Sequence, residues 1–236
     1  MGPRIGDQVN VRALHNSVLD TLGLQITGGV LPEGHVLTLD QIQQRFGVSR
    51  TVARETMRLL ESIGLVHSRR RVGITVQPPS CWHVFDPRVI WWRLAGAGRD
   101  AQLRSLTELR IAIEPLAAHS AARGASAAER QRIVELAAAM RERGEAGELD
   151  EFLELDIAFH TLLLRAGGNE MFAALTEVVA VVLKGRTTLG LMPHRPVPKA
   201  LDLHEEVARS VAAARAENAE NAMRELLSEV RDAVVH

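Results

Sequence analysis

Apolar residues near the start of the chain recur at helical spacing in separate stretches. Between residues 9 and 28 they return every three to five positions, which predicts a helix that ends at a glycine pair. The segment LPEGHV (31–36) predicts a turn, because proline and glycine interrupt both helices and strands. The segment LDQIQQRF (39–46) then predicts a short helix closed by Gly47.

A third helix is predicted from Arg50 to Ile63, with Ser49 placed to cap its first turn. The spacing turns five apolar residues of this helix inward: Val52, Ala53, Met57, Leu60 and Ile63. The following LVHSRRRVGITV (65–76) has two apolar or β-branched runs around a basic tip, a pattern typical of a hairpin. This order of elements predicts a winged helix-turn-helix, whose recognition helix can enter the major groove of DNA.

The rest of the chain carries helical patterns and no strand pattern. Asp86 is placed to cap a helix with Pro87 at its first position. Six further helices are predicted at residues 101–123, 127–143, 148–166, 169–189, 198–214 and 216–234. Helices of this length separated by short polar loops form an antiparallel bundle, and bundles place ligand or metal sites between facing helices.

The predicted fold class is therefore mainly α, with an N-terminal winged helix-turn-helix that has a small β-hairpin wing and a C-terminal all-α antiparallel bundle. The proline-rich PPSCWHV (78–84) marks the connection between the two parts. We predict a DNA-binding domain over residues 1–78, a linker and connecting helix over 79–100, and an all-helical domain over 101–236.

Composition is that of an ordinary folded protein. Of 236 residues, 46% are hydrophobic and 24% are charged, and no apolar run is long enough to span a membrane. The N-terminus has no apolar signal-peptide core, so we expect a cytoplasmic protein without membrane contact. The single cysteine, Cys81, excludes an internal disulfide and a multi-cysteine zinc cluster, and we expect it to be buried or at a boundary.

The net charge of −1 is unevenly distributed. Residues 1–80 hold nine arginines against six acidic residues, a balance of +3, and the other 19 basic and 23 acidic residues balance to −4. Seven of the nine arginines lie between Arg45 and Arg71. Such a cluster along one helix and the following turn is expected of a surface that contacts phosphates, although a solvated charged face would also explain it.

The segment FGVSRTVARETMRLLESIGLVHSRRRVGITV (46–76) resembles the DNA-binding module of the GntR superfamily of bacterial transcription regulators. The resemblance implies eight DNA-contacting positions on the recognition helix and the wing tip: Ser49, Arg50, Thr51, Arg54, Arg69, Arg70, Arg71 and Gly73. Helix capping alone would also explain Ser49, and an ion pair would explain Arg54.

Three segments of the second part resemble the FCD ligand-binding domain of the FadR subfamily of these regulators: LTELRIAIEPLAAHSAA (106–122), LELDIAFHTLLLRAGGNEMF (153–172) and LHEEVARSV (203–211). The resemblance implies a metal site at Asp156, His160 and His204. The family's fourth ligand, a histidine, falls at Leu226 in this chain.

A carboxylate and two imidazoles suit Zn²⁺, Ni²⁺ or Mn²⁺, and three protein ligands leave positions open for water or for an anion. Because Asp156 and His160 are one helical turn apart, their side chains can converge on one ion. Loss of the fourth ligand is expected to weaken binding. A metal-free alternative is that Asp156 and His160 form a buried hydrogen-bonded pair.

The same resemblance implies effector contacts by Arg110 and Asn169, and Arg186 is a further, weaker cationic candidate for the effector pocket. A guanidinium has the planar two-pronged geometry that a carboxylate requires. An Arg110–Glu114 surface pair and N-capping by Asn169 are the alternatives for these residues. The segment WHVFDPRVIWWRL (82–94) is similar to the link of regulators of sugar-acid catabolism and suggests a hydroxylated carboxylate effector. Packing of the two domains by its tryptophans is the alternative explanation of this segment.

These features together predict a ligand-responsive DNA-binding regulator and not an enzyme. We expect a homodimeric repressor, released from a palindromic operator in double-stranded DNA by a small carboxylic or sugar acid, with the helical domain forming most of the dimer contact. A metal-free effector-binding regulator is the first alternative. A metal-dependent hydrolase is the second, but no separate general base accompanies the metal ligands.

Overall fold

A computed structural model describes residues 17–69, 73–190 and 195–235. The chain divides into two compact units, Met1–Arg99 and Asp100–His236. The predicted fold class is confirmed: a small winged helix-turn-helix unit precedes an all-helical unit.

The N-terminal unit contains the three predicted helices. The described part of α1 covers residues 17–27, α2 spans Leu39–Phe46 and α3 spans Arg50–Ser62. Helix α2 begins with a reciprocal capping box between Thr38 and Gln41 and ends at Gly47 in the left-handed conformation. Because the ends of α2 are set by side chains close by in the chain, the sequence pattern predicted the bounds of this helix closely.

The wing is a three-stranded antiparallel sheet and not a simple hairpin. Strands β2 (Val66–Arg69) and β3 (Gly73–Val76) form the predicted hairpin, and β1 (Val36–Leu37) pairs with the other edge of β3. The sequence pattern predicted only a turn over residues 31–36. A two-residue strand has no periodicity of its own, and the β1 pairing depends on a partner distant in the chain.

The core of the N-terminal unit also includes residues beyond the winged helix-turn-helix pattern. Helix α4 (Pro87–Ala95) begins at the predicted Asp86 cap, and its Trp92 is buried among residues of α1. The Trp92 indole N–H donates a hydrogen bond of 2.9 Å to Asp20. At Gly23, a Cβ atom would lie 2.4 Å from the Trp92 ring, so a glycine lets helix and ring approach closely.

The other predicted core residues agree with the structure with few exceptions. Four of the five inward residues of α3 are buried, and Val52 is half-buried. Thr56 is also fully buried on this face. The apolar pattern did not predict its burial, because threonine has a polar side chain. A short 3₁₀ turn spans Pro79–Cys81, and Cys81 is exposed, so the expectation of a buried or boundary cysteine is wrong.

The C-terminal unit consists of seven helices in its described part. Their bounds are Arg99–Gly124 (α5), Ala127–Ala146 (α6), Leu149–Ala166 (α7), Glu170–Ala173 (α8), Thr176–Thr188 (α9), Pro198–Ala212 (α10) and Ala216–Val235 (α11). The predicted helix 169–189 is therefore broken into two helices. The Thr176 hydroxyl donates to the Ala173 carbonyl at 2.9 Å, which offers the backbone a local alternative to a continuous helix.

Helices α5, α7 and α9 meet in a small apolar cluster that contains Ala117, Leu164 and Leu183. A larger cluster joins α5, α6, α7, α10 and α11. Close packing of α5 on the end of α7 depends on Gly167, where a Cβ atom would lie 2.5 Å from Ser120 Cβ. Besides these two apolar clusters, helices α5, α7, α9 and α10 each bury polar side chains in the C-terminal unit.

No helix within the described residues combines the length and the apolar character needed to cross a membrane.

Candidate functional sites

Helices α7 and α10 bring the three predicted metal ligands together. Asp156 and His160 lie one turn apart on the buried face of α7, and His204 lies on the buried face of α10. The three residues are only 5%, 2% and 5% exposed, respectively. Three groups that favour water are therefore held inside the C-terminal unit, which requires compensation by partners or by a ligand.

The atoms of these residues converge on one point. Asp156 Oδ1 lies 3.2 Å from His160 Nε2 and 3.3 Å from His204 Nε2. One ligand atom from each residue fits within 4.8 Å of the others. Despite the short distances, Asp156 Oδ1 and His204 Nε2 lack hydrogen-bond geometry and are buried without a partner in the described part of the chain. Orphaned buried atoms of this donor set fit a divalent transition metal better than a closed hydrogen-bonded pair.

The other ring nitrogens of the two histidines contact oxygen acceptors. His204 Nδ1 lies 2.6 Å from the Ala200 carbonyl oxygen, within hydrogen-bond geometry. His160 Nδ1 lies 2.6 Å from Glu114 Oε2, an ion-pair contact that lacks hydrogen-bond geometry. Acceptors at this position commonly orient metal-binding histidines and hold the proton on the outer nitrogen. The arrangement leaves both Nε2 atoms directed toward Asp156.

Glu114 is a buried residue of the site that the sequence analysis did not assign to it. Its carboxylate accepts hydrogen bonds from Arg110 Nε at 2.5 Å and from the Arg110 terminal nitrogen at 3.3 Å. The predicted alternative of an Arg110–Glu114 pair is therefore formed, but both side chains are 3% exposed and the pair is not on the surface. Its signal in the sequence is the four-residue spacing on the inward face of α5.

The electrostatics of the cluster are strongly coupled. Burial alone would raise the pKa of Glu114, but the positive charges of Arg110 and His160 lower it to about 2. Burial disfavours protonation of His160, yet Glu114 and Asp156 raise its pKa to about 9. The pKa of Asp156 is lowered by the two histidines in spite of its burial. The carboxylates are thus ionised, and in the absence of metal His160 carries a proton at neutral pH.

Arg186 contributes a second buried guanidinium from α9. It is 8% exposed, and its Nε atom is buried without a hydrogen-bond partner among the residues that the structure describes. Burial lowers the pKa of Arg186 to about 10, and Arg110 adds to this effect while Asp156 opposes it. Both predicted effector-binding arginines therefore lie in the electrostatic field of the candidate metal ligands.

Asn169 and Leu226, two further positions named by the family resemblance, have no polar contact with the buried ligand cluster among the described residues. Asn169 is exposed, and its side-chain oxygen accepts a hydrogen bond of 2.9 Å from the Met171 backbone N–H at the start of α8. This is the capping role considered as the alternative, and contact with an effector stays a prediction. Leu226 is 2% exposed and belongs to the larger apolar cluster.

The predicted DNA-contacting residues form a continuous exposed surface at the start of α3. Arg50, Thr51 and Arg54 are exposed, and the Ser49 side chain accepts a hydrogen bond from the Val52 backbone N–H. Within the described residues, neither Arg50 nor Arg54 pairs with a carboxylate, whereas Arg58 pairs with Glu55. The unpaired arginines are thus confined to the N-terminal half of the helix.

The wing lies beside this surface. Arg50, Ser68 and Gly73 line one concavity of about 270 Å³, together with residues at the start of α2. Arg69 is exposed at the end of β2, and Gly73 has a φ of 110°, a conformation that favours glycine. Arg70 and Arg71, the other predicted wing residues, lie outside the described residues.

Comparison with known families assigns both units. Residues 14–76 match the family described as bacterial regulatory proteins, gntR family, and residues 105–229 match the FCD domain. The two matches correspond to the two resemblances found in the sequence, which are thereby confirmed.

Individual relatives agree with this assignment. The chain is 26% identical over 193 residues to an uncharacterised HTH-type transcriptional regulator, YieP of Escherichia coli, covering 81% of this chain and 83% of the relative. It is 25% identical over 193 residues to the galactonate operon transcriptional repressor of Escherichia coli, covering 80% and 82%. Among solved structures, Escherichia coli McbR/YncC shares the fold with a TM-score of 0.55 at 15% identity, covering 94% of this chain and 97% of the other.

Proposed function

The chain belongs to the gntR family of bacterial regulatory proteins and carries the FCD domain, and on this premise we propose that it is a dimeric repressor which a small carboxylic acid releases from its operator. The family assignment identifies a DNA-binding transcription regulator and not an enzyme. The similarity to a galactonate operon repressor supports both repression and a hydroxylated acid as the effector.

The exposed arginines at the start of α3 carry the DNA-binding part of the proposal. Arg50 and Arg54 have no acidic partner among the described residues, so their charges are available to phosphates or to guanine. Arg50 also shares a concavity with Ser68 and Gly73 of the wing, which supports simultaneous contact of helix and wing with one duplex. Ser49, Thr51, Arg69, Arg70 and Arg71 complete the proposed interface.

A dimer with a palindromic operator follows from the amount of discrimination required. A single winged helix-turn-helix reads a short half-site, which is too common in a genome to specify one promoter. Two copies related by a two-fold axis read two half-sites and multiply the specificity. We assign most of the contact between copies to the helical domain.

The effector site of this proposal is the buried polar cluster of the C-terminal unit. Asp156, His160 and His204 would hold a Zn²⁺, Ni²⁺ or Mn²⁺ ion, because two of their converging atoms are otherwise buried without partners. When bound, the ion would supply positive charge and open coordination positions for an acid. Glu114 and the Ala200 carbonyl orient the two imidazoles, and Arg110 and Arg186 supply the buried cations that attract a carboxylate.

Release from DNA requires that the acid bind one form of the protein more tightly than the other. An acid that prefers the released form shifts the population toward it, and such couplings are usually about 1 to 3 kcal/mol. The buried position of the cluster favours this mechanism, because an anion that enters must reorganise the side chains of three or more helices.

DNA binding tests the first part of the proposal. The full-length chain is titrated onto a duplex from its own upstream region at several salt concentrations, with a scrambled duplex for comparison. Affinity should fall steeply with salt, and Arg50→Ala should weaken binding by about 1 to 3 kcal/mol. Arg58→Ala is the matched control, because it removes the same charge from the same helix at a position already paired with Glu55. Equal effects of the two substitutions would contradict recognition through the start of α3.

The effector and the metal need separate measurements. Elemental mass spectrometry of the purified protein should detect a transition metal that Asp156→Asn removes. Galactonate and gluconate are then added to the protein–DNA complex, with and without a chelator. Release by an acid only before chelation supports a metal-dependent effector site, and release in both conditions supports the metal-free regulator instead.

A further inference from the structure

The two buried arginines of the C-terminal unit differ in one respect that the sequence did not reveal. The two nitrogens of the Arg110 guanidinium that face Glu114, Nε and one terminal nitrogen, donate hydrogen bonds of 2.5 and 3.3 Å to its two carboxylate oxygens. The two side chains together are neutral and almost fully buried. Arg110 therefore already has the planar, two-pronged partner that an effector carboxylate would offer.

Among the described residues, Arg186 has no such partner. It follows Val182 and Leu183 on the buried face of α9 and is 8% exposed. Its Nε atom is buried without a hydrogen bond, and within the part of the chain that the structure describes no carboxylate forms an ion pair with its guanidinium. A buried cation without a partner is unfavourable, so its retention calls for a compensating ligand.

The charges around Arg186 add to this requirement. The Arg110 guanidinium is neutralised by Glu114, whereas the carboxylate whose charge acts on Arg186 is that of Asp156, a candidate metal ligand. A divalent ion held by the metal ligands would engage Asp156 and leave the Arg186 guanidinium without a counter-charge among the described residues. The missing component is then an anion.

We propose that Arg186, and not Arg110, binds the carboxylate of the effector, while Arg110 is the structural counter-ion of Glu114. The inference rests on the effector-binding function proposed above and narrows it to one residue. It identifies the ligand as an acid whose charge is essential, because a neutral polyol of the same shape would leave the guanidinium unbalanced. It also departs from the family resemblance, which favoured Arg110 for this role.

The two assignments predict opposite effects on the ligand-free protein. Replacing Arg186 with methionine removes an unpaired buried charge at little cost in volume, so the melting temperature should rise or stay unchanged. Replacing Arg110 with methionine leaves the Glu114 carboxylate buried without its counter-charge. The melting temperature should therefore fall by several degrees, about 5 °C or more.

Thermal unfolding of the full-length chain tests both the stability and the ligand. Wild type is melted with acetate, gluconate and galactonate, and with sorbitol and galactitol as uncharged analogues, at matched ionic strength. At least one acid should raise the melting temperature by about 2 °C or more, and neither polyol should do so. Arg186→Met should abolish the acid-dependent rise. Lys184→Met is the matched control, because it removes an exposed cation from the same helix and should keep the rise.

Lysine substitutions give a second test if a methionine variant does not fold. Arg110→Lys keeps a cation beside Glu114 and should retain the response to acid. Arg186→Lys keeps the charge but loses the planar two-pronged geometry. The acid concentration that gives half of the maximal rise in melting temperature should therefore be at least several-fold higher than for wild type.

Three outcomes would overturn the proposal: no acid stabilises the wild-type chain, Arg186→Met still responds to acid, or Arg186→Met lowers the melting temperature of the ligand-free protein as much as Arg110→Met does. Operator binding is measured in parallel on the same preparations. Loss of specific DNA binding with an intact acid response would overturn the proposed regulator and leave the assignment of Arg186 standing.

Discussion

The carboxylate of Glu114 lies 2.6 Å from His160 Nδ1, across the contact between α5 and α7. The same carboxylate accepts two hydrogen bonds from Arg110. One buried acid therefore links Arg110 to a candidate metal ligand, and its charge offsets the positive charges of Arg110 on its own helix and of His160 on α7. Its removal should affect both stability and metal binding.

Glu114→Gln should lower the free energy of unfolding by about 3 to 5 kcal/mol, because it leaves the Arg110 guanidinium buried without a counter-charge. Urea denaturation of the metal-free protein measures this change. Glu108→Gln is the control, since Glu108 is exposed on the same helix and its substitution should cost less than about 0.5 kcal/mol. Similar values for the two variants would contradict a stabilising role for the buried pair.

The double substitution Arg110→Met and Glu114→Met should cost less than the two single substitutions added together. Each single change leaves an unpaired buried charge, whereas the double change leaves none, and buried ion pairs can often be replaced by apolar residues at little cost. A double-mutant cycle by urea denaturation measures the coupling, which should exceed about 1 kcal/mol. Additive effects would mean that the two side chains do not depend on each other.

Leu226→His should strengthen metal binding while weakening the metal-free fold. Leu226 is buried, and the family resemblance assigns the fourth ligand to this position. An imidazole without metal would be a buried polar group with a cost of about 1 to 3 kcal/mol. Added Zn²⁺ should restore the melting temperature of this variant. Leu227→His is the control, because this adjacent core residue should lose stability that Zn²⁺ does not restore.

Metal affinity should increase with pH below about 9. The raised pKa of His160 means that its proton stabilises the metal-free fold fully below 6.5, and that this contribution is lost as pH rises through about 9. A metal ion must displace this proton, so the apparent affinity should rise about tenfold per pH unit from about pH 6.5 to 8.5. Competition with a chelator of known pH dependence measures it. A flat profile would indicate that His160 is not a ligand.

Gly23→Ala should destabilise the N-terminal unit by about 2 kcal/mol or more, because the new Cβ atom would overlap the buried Trp92 ring. Tryptophan fluorescence during urea denaturation would follow the loss. Gly98→Ala is the control, since a Cβ atom at Gly98 meets nothing within 4 Å. Equal stability of the two variants would show that α4 does not pack tightly against α1.

Much of the fold was accessible from local patterns. Helix α2 was predicted with its observed bounds, and the caps at Ser49 and Asp86 were identified, because capping depends on side chains within one turn of the helix end. The break after Ala173 and the strand β1 were missed. Both depend on hydrogen bonds that apolar periodicity does not encode.

The sequence by itself determined the elements, the arginine-rich recognition helix and the one-turn spacing of Asp156 and His160, since all of these are properties of neighbouring residues. The family resemblance grouped His204 with that pair, and the tertiary structure brings the three side chains together. Only the tertiary structure decided that Glu114 joins Arg110 to His160, and that Arg186 is buried without a counter-charge among the described residues. The physical reason is that periodicity tells which face of a helix is buried, whereas the partner of a buried charge depends on how separate helices pack.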